Sequence, residues 1–165
     1  ALGSSGARGA RGRALAPGRR GPGAALRGGA DPGAPAVLPR GSIPIALGEH
    51  IYTTKSFRDY IDNAAVDIIQ VDVCRIGGIT PWMEVAAMAN VHNIRVCPHA
   101  GDLMQVHQHL VKSIPNSWYL EVIPSLVDVL FEHPVQLKRG VCISPKAPGA
   151  STEFAKKAFR KYRVA

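Results

Sequence analysis

Short apolar runs alternate with longer amphipathic segments from residue 43 onward. The short runs are rich in β-branched residues, which is typical of β-strands, and they cover Ile43–Leu47, Val66–Val73, Ile94–Cys97 and Trp118–Ile123. The segments between them carry apolar residues at helical spacing and predict helices at about Thr54–Asn63, Thr80–His92 and Met104–Ser113. Strand and helix in this rhythm predict βα units and a parallel sheet covered on both faces.

The first two predicted helices have recognisable apolar faces. In the first, this face holds Phe57, Tyr60 and Ile61. In the second, Thr80 is the expected N-cap with Pro81 at the first helical position, and the residues expected to point inward are Trp82, Val85, Ala86 and Ala89. A glycine turn at Gly77-Gly78 separates this helix from the strand before it.

The last part of the chain has a different pattern of apolar and polar residues from the βα units. Two short β-like runs flank Arg139-Gly140, and a helix is expected from about Thr152 to Tyr162. We expect the basic residues of this helix to form a solvated face rather than a nucleic-acid surface. They are Lys156, Lys157, Arg160, Lys161 and Arg163.

The first 42 residues differ in composition from the rest. They hold seven Arg and one acid, Asp31, and so carry +6 of the chain's formal net charge of +8. Ala, Gly, Arg and Pro dominate and aromatic residues are absent, so we expect residues 1–42 to form a disordered segment. Three origins stay open: an Arg/Gly-rich RNA-binding tail, a transit peptide, or GC-rich coding sequence read in a wrong frame.

The charge, the cysteines and the apolar runs of the rest of the chain argue against several classes of protein. Outside residues 1–42 the chain is nearly neutral, which argues against a nucleic-acid partner. Three cysteines without CxxC spacing, Cys74, Cys97 and Cys142, suggest neither a disulfide framework nor a zinc site. No apolar run is long enough to span a membrane. A cytoplasmic location is expected, or a mitochondrial one if the first segment is a transit peptide.

Four ionisable residues occupy equivalent places along the predicted βα units. Glu49, Asp72, His99 and Glu121 stand at or just after the ends of successive strands, at separations of 23, 27 and 22 residues. Each alone has an ordinary explanation as a loop carboxylate, a turn former or a satisfied loop histidine. Because strand ends of a parallel barrel converge on one mouth, their common register predicts a shared active site.

Several stretches of the sequence resemble one enzyme family. Gly48-Glu49-His50, IIQVDVCRIGGIT, RVCPHAG and YLEVI are similar to the C-terminal half of the barrel in the enolase superfamily. The similarity is to the mandelate racemase/muconate lactonizing branch, especially acid-sugar dehydratases of the fuconate and rhamnonate type. It implies an α/β fold, strands five to eight of a TIM-like (β/α)7β barrel, over residues 43–165.

The resemblance also implies roles for the residues in register. Glu49 matches a metal-ligating carboxylate, Asp72 and His99 match a catalytic Asp-His dyad, and Glu121 matches an acid that hydrogen-bonds the developing enediolate. His50 and Arg75 are candidate substrate-binding residues, since an arginine pairs well with a carboxylate. The implied cofactor is Mg²⁺, the implied substrate is a sugar acid, and complete relatives are expected to be homo-oligomers.

The implied reaction is removal of the proton next to a carboxylate followed by loss of water. Hard oxygen-bound cations stabilise the enediolate formed in such a step, and a histidine oriented by an aspartate suits proton transfer near neutral pH. A racemase or cycloisomerase of the same branch is an alternative. Another is a catalytically dead chain that binds a partner barrel, or RNA through its Arg/Gly tail.

The 123 residues from 43 to 165 are about half of the roughly 250 in a full barrel. The expected capping domain, the first four strands and two further metal carboxylates have no counterpart in the sequence. We therefore expect a truncated member of the family, inactive as an isolated chain.

Overall fold

A computed structural model describes residues 43–101, 105–123 and 129–164 of the chain. The segment predicted to be disordered, residues 1–42, lies outside the described residues. Four helices are described: α1 Thr54–Asp62, α2 Ile79–Val91, α3 His107–Ser113 and α4 Lys156–Tyr162. The described strands are β1 Ala46–Leu47, β2 Ile68–Ile69, β3 Arg95–Val96, β4 Gln136–Lys138 and β5 Val141–Ile143.

The first three strands form a parallel sheet in the order β1-β2-β3. Ile69 of β2 is in register with Leu47 on one side and Val96 on the other. The parallel βα arrangement is therefore confirmed for these units. Each strand is shorter than its apolar run. In the second run, residues 70–73 follow the ladder and lead into the turn at Asp72.

The prediction of a fourth strand at Trp118–Ile123 is wrong for the described residues. Only one parallel bridge, between Val96 and Ser117, continues the sheet. Here Val96 N donates to Asn116 O at 2.9 Å and Trp118 N to Val96 O at 2.9 Å. Beyond this bridge the chain pairs instead with a loop, where Gly101 N donates to Glu121 O at 2.7 Å.

The predicted start of α1 is correct, whereas the predicted start of α2 is wrong. α1 begins at Thr54 as predicted, and the Thr53 hydroxyl caps it by accepting from Ser56 N at 3.1 Å. α2 begins at Ile79 with Gly78 as N-cap, so Thr80 is not the cap. Gly78 takes this place because its φ of 127° reverses the chain, and its N–H donates to Val73 O at 2.8 Å.

The core lies where α1 and α2 pack together and against the sheet. Phe57 of α1 and Trp82 of α2 are fully buried, and the Trp82 indole donates to Val71 O at 3.2 Å. The inward face predicted for α2 is confirmed, as Val85, Ala86 and Ala89 are buried with Trp82. α3 adds Leu110 to the same cluster.

The C-terminal part contains a hairpin and a short helix. β4 and β5 pair antiparallel across Arg139 and Gly140, whose φ values of 52° and 76° suit a two-residue hairpin turn. α4 begins at Lys156 rather than Thr152, because the residues before it pair with another segment: Glu132 N donates to Glu153 O, and Ala155 N donates to Leu130 O. The basic residues of α4 are exposed, as expected of a solvated face.

Among the helices of the described ranges, none combines the length and the apolar character needed to cross a membrane.

Candidate active site

The structure brings the four residues in register to the same end of the parallel sheet. Glu49 follows β1, Asp72 follows β2 and His99 follows β3, and Glu121 lies beside the loop that continues from His99. The three residues from the sheet form one chain of contacts, in which His99 lies between the two carboxylates. The predicted convergence of strand ends is therefore found in the described residues.

Gly48 places Glu49 by allowing two strand ends to approach closely. A Cβ atom at Gly48 would lie 2.6 Å from the backbone carbon of Gln70 and 2.8 Å from its oxygen. Gln70 N also donates to Leu47 O at 2.8 Å. Only glycine fits at this contact, which brings the loop carrying Glu49 against the end of β2.

Asp72 begins a helical turn shortly after the end of β2 at Ile69. Its Oδ1 accepts hydrogen bonds from Cys74 N at 2.8 Å and Arg75 N at 3.1 Å, which is how an aspartate caps the start of a helical turn. Its Oδ2 remains for a different partner. The turn thus fixes the carboxylate in one orientation.

The free oxygen of Asp72 holds His99. His99 Nδ1 lies 2.9 Å from Asp72 Oδ2, and His99 Nε2 lies 3.2 Å from Glu49 Oε1. Exposure rises along this series, from 1% for the Asp72 side chain through 17% for His99 to 45% for Glu49. The histidine therefore has a buried carboxylate on one side and a half-exposed carboxylate on the other.

Burial by itself raises the pKa of the Asp72 carboxyl group. The hydrogen bonds from His99, Arg75 and Cys74 together outweigh it and hold the pKa below the ordinary value of 3.8. Asp72 is therefore a carboxylate at neutral pH and accepts the Nδ1 proton of His99, which leaves Nε2 as the nitrogen that faces Glu49.

Arg75 and His50 surround Glu49. Arg75 Nη1 lies 2.9 Å from Glu49 O, 3.2 Å from Glu49 Oε1 and 2.8 Å from His50 Nδ1. Both predicted substrate-binding residues thus lie at the mouth of the site. In this structure the Arg75 guanidinium bonds to acceptors of the protein itself.

Glu121 holds the loop that carries His99. Its Oε2 accepts from Ala100 N at 2.6 Å, and a Cβ at Gly101 would lie 2.9 Å from Glu121 O. Ala100 is buried and has a φ of 47°, in the left-handed region. Such strain in a non-glycine residue is commonly found at functional sites. The carboxylate of Glu121 therefore binds the backbone amide of Ala100, the residue that directly follows His99 of the dyad.

The described residues do not form a Mg²⁺ site by themselves. Among them, no group of three or more His, Cys, Asp or Glu side chains is arranged to hold a metal ion. Glu49 supplies one carboxylate, which already contacts Arg75 and His99, whereas Mg²⁺ requires near-octahedral oxygen ligation.

His107 is a site residue that the sequence reasoning missed. It is fully buried, and its Nε2 accepts from Val73 N at 2.9 Å, directly beside Asp72. Burial lowers its pKa to about 4 and outweighs the raising effects of Asp72 and the backbone of His99. Its helical spacing from Leu110 and Ile114, which are also buried, was the feature of the sequence that could have predicted its burial. His109, two residues further along α3, contacts a different partner and lies 3.2 Å from Ser151 Oγ.

The two cysteines near the site are poor nucleophiles. Burial raises the pKa of both Cys74 and Cys97, and the nearby carboxylates Asp72 and Glu121 raise these values further. Both are therefore thiols near neutral pH. The chemistry that the arrangement supports is proton transfer at His99 Nε2.

Comparison with known proteins shows the family. The sequence profile described as Enolase C-terminal domain-like matches residues 30–158. The human protein "Mitochondrial enolase superfamily member 1" is 35% identical over 140 residues, which cover 78% of this chain and 30% of that protein. An L-galactonate dehydratase from Hypocrea jecorina is 34% identical over 134 residues, 77% of this chain and 29% of the relative. This chain thus spans about 30% of the length of these relatives.

A solved structure gives the same result for the fold. L-Talarate dehydratase from Polaromonas sp. JS666, complexed with Mg and L-glucarate, superposes with a TM-score of 0.65 at 27% identity. The match covers 74% of this chain and 34% of that enzyme. The expected barrel fold is thereby confirmed. The chain belongs to the Enolase C-terminal domain-like family, with the TIM-barrel-like fold of that domain, and its relatives are acid-sugar dehydratases of the mandelate racemase branch of the enolase superfamily.

Proposed function

We propose that this chain carries the proton-transfer residues of an acid-sugar dehydratase. The observation that supports this most directly is the hydrogen bond of 2.9 Å between His99 Nδ1 and Asp72 Oδ2, which leaves Nε2 on the side of Glu49. A histidine held in this way has a fixed tautomer and an available base at Nε2. The named dehydratases among the relatives supply the reaction class.

In this proposal His99 Nε2 removes the proton from the carbon next to the substrate carboxylate. The electron pair left behind expels the hydroxyl group from the neighbouring carbon, and the proton on Nε2 leaves with it as water. The enol that remains becomes a 2-keto-3-deoxy acid. A positioned acid-base group of this kind contributes about 10²- to 10⁴-fold in rate.

Asp72 and Glu121 support this step without exchanging protons with the substrate in its first stage. Asp72 holds the histidine ring and stabilises its protonated form as a buried carboxylate. Glu121 is proposed to face the negative charge that develops on the substrate. In the structure this residue also holds the Ala100 amide and so the loop that bears the base.

Glu49, Arg75 and His50 form the proposed mouth of the substrate site. Arg75 is the cationic group placed to pair with a substrate carboxylate, in exchange for its present acceptors on Glu49 and His50. Glu49 is proposed as a ligand of Mg²⁺ in company with further oxygen donors. The proposed substrate is a small sugar acid, as the L-glucarate bound to L-talarate dehydratase suggests.

The test is an assay of the product of the complete native locus against aldonic and aldaric acids with Mg²⁺. We expect formation of a 2-keto-3-deoxy acid, and loss of about 10²-fold or more in rate for His99→Asn. His92→Asn is the matched control, because His92 lies at the end of α2 and contacts Asp62 rather than the site.

Two results would contradict the proposal: dehydration of no acid in the collection, or full activity in the His99→Asn variant. Running the reaction in D2O separates the alternatives within the branch. Deuterium at the α-carbon without loss of water indicates a racemase instead.

A further inference from the structure

Four consecutive backbone N–H groups follow Asp72, and each has an acceptor. Cys74 N and Arg75 N donate to Asp72 Oδ1, and Ile76 N donates to Asp72 O at 3.0 Å. These are the hydrogen bonds of a first helical turn whose N-cap is Asp72. The remaining group, Val73 N, donates to His107 Nε2 at 2.9 Å.

Of these four N–H groups, Val73 N is the one that does not donate to Asp72. An N-cap side chain reaches the second and third N–H groups of its turn and leaves the first to another acceptor. Because Val73 is 5% exposed and His107 is fully buried, that acceptor comes from the protein. α3 supplies it by placing the His107 ring at the end of β2.

The backbone on the other side of Asp72 is held in a similar way. The Trp82 indole donates to Val71 O at 3.2 Å, and its ring lies 6.1 Å from the His107 ring, centre to centre. Side chains from α2 and α3 therefore hold the residue before Asp72 and the residue after it. The orientation of the Asp72 carboxylate depends on both.

We propose that His107 is a positioning residue, which holds the Val73 amide and thereby fixes the turn from which Asp72 presents Oδ2 to His99. The inference rests on the proposed role of the His99–Asp72 dyad. His107 acts through Val73 and Asp72 and is therefore a positioning residue rather than a catalytic one. Its neutral form is required, because the Nε2 lone pair accepts the bond.

The experiment is ¹⁵N-edited NMR of the full 165-residue chain, observing the His99 Nδ1–H proton, whose resonance moves to low field when it bonds to a carboxylate. Asp72→Asn assigns the signal. His107→Met removes the acceptor at similar volume, and His107→Gln keeps an oxygen near the Nε2 position. Asn116→Ala is a destabilised control, since it deletes bonds to Ala86 O and Ile94 O away from the dyad.

We expect the low-field signal to be lost or displaced in His107→Met and retained in His107→Gln and Asn116→Ala. If His107→Met does not fold, His107→Asn takes its place, because its shorter amide ends away from Val73. An unchanged signal in the acceptor-deleted variant overturns the proposal, as does equal loss in Asn116→Ala. A wild-type signal that Asp72→Asn leaves unchanged contradicts the dyad itself, which separates failure of the proposed function from failure of this inference.

Discussion

Asp72 uses its two carboxylate oxygens for different purposes. Oδ1 caps the turn through Cys74 and Arg75, while Oδ2 accepts from His99 at 2.9 Å. A single buried side chain thus connects local backbone structure to the candidate base. Its burial is tolerated because hydrogen bonds replace the water that a charged group loses in the interior.

His107 has a consequence for the pH dependence of stability. Its pKa in the folded chain is about 4, below the ordinary value of 6.5, so between these values the unfolded chain binds more protons. Stability from this group is complete above about pH 6.5 and falls as the pH is lowered to about 4. The difference corresponds to about 3 kcal/mol at most.

Urea unfolding between pH 4 and 8 measures this effect. The groups that face His107 are Asp72 and His99, and His107→Gln leaves both residues unmutated. We expect the free energy of unfolding of this variant to depend less on pH in that range than the wild type does. Equal slopes for the two proteins would show that His107 is not a buried neutral histidine.

At the scale of elements, the candidate site is formed by the turns that follow the strands rather than by the strands themselves. The parallel ladder is two residues long in each of β1, β2 and β3, and the site residues lie in the turns that follow. The apolar runs predicted the existence and order of these strands. They did not predict where each strand ends, because a buried turn residue such as Val73 is as apolar as a strand residue.

The contact between the ends of β1 and β2 gives a prediction at this scale. Gly48→Ala places a Cβ 2.6 Å from the Gln70 backbone, which should cost about 1–3 kcal/mol as overpacking against a backbone that has little room to move. Gly77→Ala is the matched control, because Gly77 also has a positive φ of 92° but no atom within 4 Å of the added carbon.

Chemical denaturation of both variants separates the steric effect from backbone strain. The expected order of stability is wild type, then Gly77→Ala, then Gly48→Ala. If the two variants lose the same free energy of unfolding, the close approach to Gln70 is not the reason that glycine stands at position 48.

At the scale of the whole molecule, the metal-binding side chains among the described residues give a prediction for the 165-residue chain alone. The described residues offer Glu49 as the carboxylate at the proposed metal position, and no cluster of three metal-binding side chains occurs among them. We therefore expect no saturable binding of millimolar Mg²⁺ by calorimetry and no Mg²⁺-dependent dehydration by the pure chain. Measurable turnover that disappears on adding a chelator would contradict this prediction.

The sequence by itself determined the order of βα units, the face that α2 buries and the two short β runs around Arg139-Gly140. These follow from local spacing and from the φ values that particular residues tolerate. It also singled out Glu49, Asp72, His99 and Glu121, because parallel strand ends meet at one edge whatever the details of packing.

Only the tertiary structure decided which polar groups pair. The single bridge at Ser117, the cap at Gly78 and the bond from Val73 to His107 join segments whose distances the sequence does not specify. A buried donor takes whichever acceptor the fold brings within about 3 Å. His107 lies 34 residues from Val73, and its role became visible only when α3 had been placed beside the end of β2.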